Sequence, residues 1–129
     1  MKIVKNATEI EGFRRAMVKD GVALVNFLMW LEKEAPSLPP PDGGGAKGLS
    51  EMSIAEKLTA FRAEQPDFRG ISFDTISGYE QHGAIVHYEA TPETDIPIEN
   101  RGFLLLDSGA LNRARCVFRH SPASGWANL

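Results

Sequence analysis

Apolar side chains recur near the helical period in the first quarter of the chain. The positions are Ile10, Phe13, Met17, Val22, Val25, Leu28 and Met29 or Leu31. This spacing predicts one long helix, ending near Glu34, whose apolar stripe faces a core. Thr8 and Glu11 have the spacing of a capping box at its start, and Pro36 limits its continuation because proline lacks the amide N–H of a helix interior.

A second, shorter helix is predicted after residue 52. Ser53 and Glu56 have the capping-box spacing, and Pro66 requires the helix to end before it. The side chains expected to face inward are Ile54, Leu58 and Phe61. Between the two helices, residues 36–48 hold three consecutive prolines and three consecutive glycines with few apolar anchors, which predicts a flexible loop.

Three segments in the second half of the chain have the composition of β-strands. Residues 70–77 and 83–88 are rich in β-branched and aromatic side chains and are separated by turn residues. Residues 103–107 are apolar up to Asp107, which predicts a strand buried on both faces. The order of two helices followed by strands predicts an α+β fold, with two helices packed on a mainly antiparallel sheet.

Composition and charge narrow the classes of function. A chain of 129 residues with 43% hydrophobic content can bury one core. Its net charge of -3 gives no clustered basic surface for nucleic acid, and the most apolar stretch, 22–31, is too short to span a bilayer. Cys116 is the single cysteine, so an internal disulfide is excluded. We expect a cytoplasmic protein that binds neither nucleic acid nor membrane.

Four segments carry a resemblance to a known family. They are 5–16 (KNATEIEGFRRA), 53–62 (SIAEKLTAFR), 73–88 (FDTISGYEQHGAIVHY) and 104–110 (LLLDSGA). In this order they resemble the catalytic domain of Xaa-Pro aminopeptidase, or aminopeptidase P, in the M24 metallopeptidase (creatinase–prolidase) family. The resemblance implies half of a pita-bread fold, in which two α/β halves related by a pseudo-two-fold axis hold a pair of divalent metals between them.

The resemblance stops after Ala110. Residues 111–129 contain three arginines, no acidic residue and no sustained period. We therefore divide the chain into 1–110, the first half of a metallopeptidase catalytic domain, and 111–129, a divergent tail. A frameshift, a truncation or disorder would account for that tail. The position aligned with the family's second aspartate ligand is Phe118.

The resemblance identifies one residue of this chain as a metal ligand. The family uses two Asp, one His and two Glu to hold two divalent metals about 3.5 to 4 Å apart, and Asp107 alone has a counterpart. Manganese is the metal expected, with zinc or cobalt as alternatives, and stable binding by this chain is not expected. From the residues alone, the favoured interpretation of Asp107 is a turn former that caps backbone amides.

Two histidines complete the candidate site. His87 lies twenty residues before Asp107 and resembles the family's active-site histidine on the strand ahead of the first ligand. The resemblance implies that it contacts substrate or stabilises the oxyanion. His82 is expected to line the substrate mouth. Without the resemblance, both would be ordinary strand-edge or loop histidines.

Three functions remain open at this point. The first is a fragment of a metallo-aminopeptidase, a hydrolase that removes the N-terminal residue from peptides with proline second, inactive alone because its metal site is incomplete. The second is a non-catalytic module that binds proline-containing peptides. The third is a self-associating half-domain, because an isolated half exposes apolar surface that a homodimer would cover.

Overall fold

A computed structural model describes residues 4–34, 48–112 and 116–117 of the chain. The helices are α1 (Ala7–Glu34) and α2 (Glu51–Ala63), with a 3-10 helix at Glu80–Ala84; the strands are β1 (Phe68–Ile71), β2 (Ile76–Tyr79), β3 (Leu104–Asp107), β4 (Ala110–Asn112) and β5 (Cys116–Val117). The predicted loop 36–48, apart from Gly48, lies outside the described residues, and so does Phe118. No helix in the described part is both long and apolar enough to cross a bilayer.

The long helix α1 is confirmed, but its cap lies two residues earlier than predicted. The side-chain oxygen of Asn6 accepts from the N–H of Glu9 at 2.8 Å. In return, the N–H of Asn6 donates to the Glu9 carboxylate at 2.8 Å. This reciprocal pair satisfies two amides that the first turn leaves free. Thr8 and Glu11 have the same spacing, yet Thr8 already lies within the helix.

The buried face of α1 differs from the predicted stripe. Its buried residues are Gly12, Ala16, Asp20, Ala23 and Phe27. Among the predicted core positions, Ile10, Met17, Val22, Val25 and Met29 are between 42% and 64% exposed. Leu28 and Leu31 do pack against the core. Small side chains allow packed backbones to approach closely, which accounts for Gly12, Ala16 and Ala23 on this face beside the larger Phe27.

A buried ion pair joins the two helices. The guanidinium Nε of Arg62 in α2 lies 2.7 Å from Asp20 Oδ1 in α1, and Nη2 lies 3.2 Å from Oδ2. The two side chains are 1% and 8% exposed. This two-pronged contact pairs the Asp20 carboxylate with two guanidinium nitrogens, whereas Arg62 Nη1 is buried without a partner in the described part of the chain. The ion pair accounts for a charged residue at the centre of the α1 face.

The second helix begins three residues before the predicted position. Ser50 is its N-cap: the Ser50 side chain accepts from the N–H of Ser53, and the Ser53 hydroxyl accepts from the N–H of Ser50. Ser53 is therefore inside the helix. Ile54 and Leu58 are fully buried as predicted, and the helix ends at Ala63, before Pro66.

One apolar cluster lies between the helices and the strands. Its buried members are Phe27, Ile54, Leu58, Tyr79 and Ile98. Half-buried apolar side chains surround it, at Leu24, Leu28, Trp30, Leu31, Leu49, Phe61, Ile96, Leu104 and Leu106. The cluster draws on α1, α2, β2 and β3, so it fixes the helices against the strands that carry the candidate site.

The strands form two small antiparallel sheets in the order β1-β4-β5 and β2-β3. The prediction of a single strand over 70–77 is wrong, because β1 and β2 belong to different sheets. The chain leaves the first sheet after Ile71, where the N–H of Ser72 still donates to the Gly109 carbonyl at 2.9 Å. The α+β class with antiparallel strands is confirmed.

The strand predicted over 83–88 is also wrong. That segment completes the 3-10 helix and then turns, with the Tyr88 N–H donating to the Ile85 carbonyl at 3.3 Å. Its apolar residues Ile85 and Val86 are exposed rather than paired. The strand predicted at 103–107 is confirmed as β3, but it is half-buried instead of covered on both faces, and Phe103 is exposed.

Candidate active-site face

The β2–β3 ribbon has one core face and one outward face. Its register pairs Ile76 with Asp107, Ser77 with Leu106, Gly78 with Leu105 and Tyr79 with Leu104. Directly opposed residues share a face and successive residues alternate. Tyr79, Leu104 and Leu106 belong to the core cluster. Asp107 therefore shares the other face with Gly78 and Leu105.

The 3-10 helix lies on this same face. A Cβ at Gly78 would lie 2.9 Å from the Gly83 nitrogen and 3.0 Å from the His82 carbonyl carbon. A Cβ at Gly83 would lie 3.4 Å from the Leu105 Cβ. Two residues along a strand span about 7 Å, so the backbone at 82–83 and Asp107 occupy neighbouring positions on one surface. We call the surface formed by Gly78, 82–83, Leu105 and Asp107 the ribbon face.

Glu51, the first residue of α2, organises the segment that follows β2. Its side chain is fully buried. One carboxylate oxygen, Oε1, accepts from the Tyr79 N–H at 2.6 Å, and Oε2 accepts from the Tyr88 hydroxyl at 2.7 Å. Nδ1 of His82 lies 3.0 Å from each oxygen. One side chain thus gathers three groups from residues 79–88.

Sequence reasoning missed Glu51 because an acidic residue in the first turn of a helix is ordinarily an exposed group that interacts with the helix dipole. Nothing in its local pattern distinguishes it from Glu56, one turn further on. The one available signal is indirect: two tyrosines and a histidine lie within a short segment, and such groups need polar partners when buried.

His82 is ordered by this carboxylate. Its ring lies against that of Tyr88, with 4.5 Å between centroids and 32° between planes. The side chain is 16% exposed. Its predicted place at a substrate mouth remains a prediction, but the structure brings it to the ribbon face and gives it a fixed orientation.

His87 is not on a strand, which corrects the prediction made for it. It lies in the turn after the 3-10 helix with a φ of 56°, a left-handed conformation that side chains other than glycine adopt rarely. The residue is exposed, whereas its neighbour Tyr88 is buried. Within the described residues, no hydrogen bond joins its imidazole to His82 or Asp107.

Asp107 is the last residue of β3. Its Oδ1 is buried and has no hydrogen-bond partner in the described part of the chain. A buried carboxylate oxygen without a donor is unfavourable by about 1–3 kcal/mol or more, so a cation at that position would stabilise it. The atom fits the role of one metal ligand. However, the described residues contain no group of three or more His, Cys, Asp or Glu side chains that could hold a metal.

A separate pocket of about 370 Å³ lies beside α2. Its lining combines apolar side chains with three carboxylates, at Met52, Ala55, Glu56, Thr59, Ile71, Asp74, Thr75, Glu89 and Ala90. None of His82, His87 and Asp107 lines it. The pocket therefore does not join the predicted site residues together.

The two tyrosines near Glu51 are held in their neutral form. Burial raises the pKa of Tyr88, and the neighbouring Glu51 carboxylate raises it further. Burial likewise raises the pKa of Tyr79, whose hydroxyl donates to the Arg101 carbonyl at 2.7 Å. Both hydroxyls thus act as hydrogen-bond donors, Tyr88 to the buried Glu51 carboxylate and Tyr79 to the Arg101 carbonyl.

Comparison with known proteins gives one family. The sequence profile of metallopeptidase family M24 matches residues 11–117. Xaa-Pro aminopeptidase 1 of Dictyostelium discoideum is 42% identical over 109 residues, which are 84% of this chain and 16% of that protein. Aminopeptidase P1 of Lotus japonicus is 35% identical over 122 residues, covering 84% and 18%. The chain thus spans about a sixth of the length of these relatives.

A solved structure supports the same relationship. The X-prolyl aminopeptidase of Caenorhabditis elegans, described as a cytosolic enzyme with a di-nuclear active site, superposes with a TM-score of 0.75 and 36% identity. The match covers 86% of this chain and 17% of that one. The predicted assignment to half of a pita-bread fold is confirmed by this likeness. Sequence profile, relatives and structure agree, and the chain belongs to metallopeptidase family M24.

Proposed function

We propose that this chain is part of a dinuclear-metal Xaa-Pro aminopeptidase, a hydrolase that removes the N-terminal residue from peptides with proline second. Asp107 would be one metal ligand, and His87 and His82 would contact the peptide. The observation that carries the proposal is the buried, unpaired Oδ1 of Asp107 on the ribbon face, next to the backbone of the histidine-bearing segment.

The chain alone is proposed to be inactive. When bound, two divalent metals polarise the substrate carbonyl and stabilise the charge that develops on it. Two neighbouring cations need several carboxylates to hold them, and Asp107 is a single one. We propose manganese as the metal of the whole enzyme, with zinc or cobalt as alternatives because oxygen-rich sites accept them. The described residues offer no complete site, so stable binding by this chain is not expected.

His87 and His82 would serve the peptide rather than the metal. An exposed imidazole in a turn can donate a hydrogen bond to a substrate carbonyl or to the oxyanion formed from it. His87 has that exposure. His82 is held in place by Glu51 and would contribute a fixed hydrogen-bonding group at the peptide's entry.

Peptidase activity tests the proposal. We expect the purified chain to release no N-terminal residue from an Xaa-Pro-Pro peptide, with manganese or with a chelator. Calorimetry with manganese should show at most weak binding that Asp107→Asn abolishes. The exposed Asp74→Asn is the matched control and should leave that binding unchanged. Manganese-dependent turnover by the wild-type chain would contradict the proposed inactivity.

One observation favours a second candidate, a self-associating half-domain. The outer face of α1 exposes Val18, Val22, Val25 and Met29, which we call the α1 stripe. Their spacing places them within a narrow arc of the helix. We propose that a homodimer covers this stripe.

The remaining assignments are proposals of the same kind. A cytoplasmic location agrees with the cytosolic description of the Caenorhabditis elegans relative. The absence of nucleic-acid and membrane partners rests on net charge and hydropathy alone. The boundary at residue 110 stays a prediction; strand β4 runs across it, from Ala110 to Asn112.

A further inference from the structure

The contact between Glu51 and His82 bears on which nitrogen of the His82 ring carries the proton. An ionised carboxylate has only acceptor atoms, whereas a neutral imidazole has one donor and one acceptor nitrogen. Because Nδ1 of His82 faces both oxygens of Glu51 at 3.0 Å, the hydrogen bond requires the proton to lie on Nδ1. The other nitrogen, Nε2, is then an acceptor whenever the ring is neutral.

Two hydrogen-bond donors and the start of α2 surround the Glu51 carboxylate. The Tyr79 N–H can only donate, and it lies 2.6 Å from Oε1. The Tyr88 hydroxyl donates to Oε2 at 2.7 Å. The residue is also the first of α2, where the positive end of the helix dipole lies. A carboxylate that receives these donors has oxygens left to accept the proton of Nδ1.

The second nitrogen of His82, Nε2, is the ring nitrogen that Glu51 does not contact. Among the described residues, the hydrogen bonds of the His82 ring are made by Nδ1, to Glu51. Nε2 is not one of the buried atoms that lack a partner there, and the side chain is partly exposed. Nε2 is thus the nitrogen of the neutral imidazole that carries no proton when Nδ1 donates to Glu51.

We propose that Glu51 is a positioning residue that holds the proton of His82 on Nδ1 and so presents Nε2 as a hydrogen-bond acceptor for an N–H group of a peptide. Glu51 also contacts both ends of the 79–88 segment, through the Tyr79 amide and the Tyr88 hydroxyl. It therefore sets the start of the 3-10 helix and the end of the turn that carries His87. The peptide step rests on the proposed function, but the proton position does not.

Nitrogen-15 NMR of the full chain at alkaline pH, where an imidazole is neutral, tests the proton position directly. We expect a protonated Nδ1 and an unprotonated Nε2 for His82, with the signal assigned by its loss in His82→Gln. A ring protonated on Nε2 would overturn the proposal. This measurement on the wild-type chain decides the matter even if a variant does not fold.

A comparison of substitutions at Glu51 and Tyr88 tests whether Glu51 sets the proton position of His82. In Glu51→Gln the amide oxygen can still accept from Tyr79, and the new amide N–H group faces Nδ1. We therefore expect the His82 proton to move to Nε2. Tyr88→Phe removes a different donor from the same carboxylate and should leave the proton on Nδ1. An unchanged proton position in Glu51→Gln would show that Glu51 does not set it.

A peptide titration tests the last step. Addition of an Ala-Pro-Ala-Ala peptide at millimolar concentration, which carries amide N–H groups at its two last alanines, should shift the Nε2 resonance of wild-type His82, and this shift should be lost in Glu51→Gln. No response in the wild-type chain, with the proton found on Nδ1, would overturn the peptide contact proposed for His82. That outcome differs from a failure of the positioning role, which would appear as a wrong proton position without any peptide.

Discussion

At the scale of single residues, Asp20 and Arg62 are the clearest determinants of stability. Removal of one partner leaves the other charge buried and unpaired, which costs about 3–5 kcal/mol. We expect Asp20→Ala to lower the free energy of unfolding by that amount, as measured by urea denaturation followed by circular dichroism. Both helices depend on this contact, so the loss should be global.

The control for this prediction is an exposed pair on the same helix. Arg15 and Glu11 approach to 3.6 Å, with both side chains more than half exposed. Such pairs contribute about 0–1 kcal/mol because water and salt screen them, so Glu11→Ala should change stability little. Equal effects of Asp20→Ala and Glu11→Ala would contradict the role given to the buried pair.

Position 78 requires glycine because the backbone of the 3-10 helix leaves no space for a side chain there. A methyl group there would meet the backbone of Gly83 at 2.9 Å, so Gly78→Ala must displace the 3-10 helix from the ribbon face. We expect a loss of about 1–3 kcal/mol, the usual effect of overpacking, and altered NMR signals of His82. Gly21→Ala is the matched control, because nothing lies within 4 Å of its Cβ position.

The outcomes of these two glycine variants should have opposite signs. Gly21 lies inside α1, where alanine is favoured over glycine by about 0.5–1 kcal/mol, so Gly21→Ala should stabilise the chain. If Gly78→Ala were as stable as the wild type with unchanged His82 signals, the close approach of the 3-10 helix to β2 would be refuted.

Alkaline titration reports on the two tyrosines, Tyr79 and Tyr88, which are the only ones in the chain. Burial raises both pKa values above the ordinary value of 10.0. A raised tyrosine pKa stabilises the fold fully below the unfolded value, and this contribution is lost as pH rises through the folded value. We expect phenolate absorbance to appear above pH 10.0 in the native chain and nearer pH 10.0 in urea. Coincident curves would contradict the burial of the two hydroxyls.

At the scale of elements, the sequence predicts where helices lie better than which face they bury. α1 and α2 were predicted because apolar residues and prolines mark their extents. The buried face of α1 was not predicted, because it consists of Gly12, Ala16, Asp20 and Ala23 around Phe27. A search for large apolar side chains overlooks such a face, and the identity of its partner, Arg62, depends on tertiary contact.

The strands show a second limit of local pattern. Residues 83–88 have strand-like composition, yet Glu51, more than twenty residues away, binds Tyr79, His82 and Tyr88 and holds a 3-10 helix and a turn instead. Tertiary contacts here override propensity. The same carboxylate contacts the His82 ring, and the turn that precedes Tyr88 contains His87 with a left-handed backbone; the local sequence reveals neither feature.

Only part of the candidate site could be predicted, because the rest of it also depends on tertiary contacts. Asp107 was identified through the resemblance, and its unpaired oxygen is a feature of the folded chain. Periodicity alone would have supported only a small α+β domain. Glu51 was missed because its first-turn position is typical of an exposed residue, while its burial depends on the packing of α2 against 79–88.

At the scale of the whole molecule, the exposed α1 stripe determines the prediction for assembly. Val18, Val22, Val25 and Met29 are between 45% and 68% exposed on a single helical face. Exposed apolar surface of this kind favours association. We expect light scattering to give a mass that rises from monomer toward dimer with concentration, and Val22→Lys with Val25→Lys to restore the monomer.

Another exposed valine separates the stripe from apolar surface in general. Val86 is 82% exposed in the turn beside His87, away from α1 in the sequence. Val86→Lys adds the same kind of charge, and it should leave the mass unchanged if the stripe is the contact. A strict monomer at high concentration would refute the homodimer. A dimer dissolved by Val86→Lys but not by the stripe substitutions would place the contact at the turn, where it would compete with a peptide for His87.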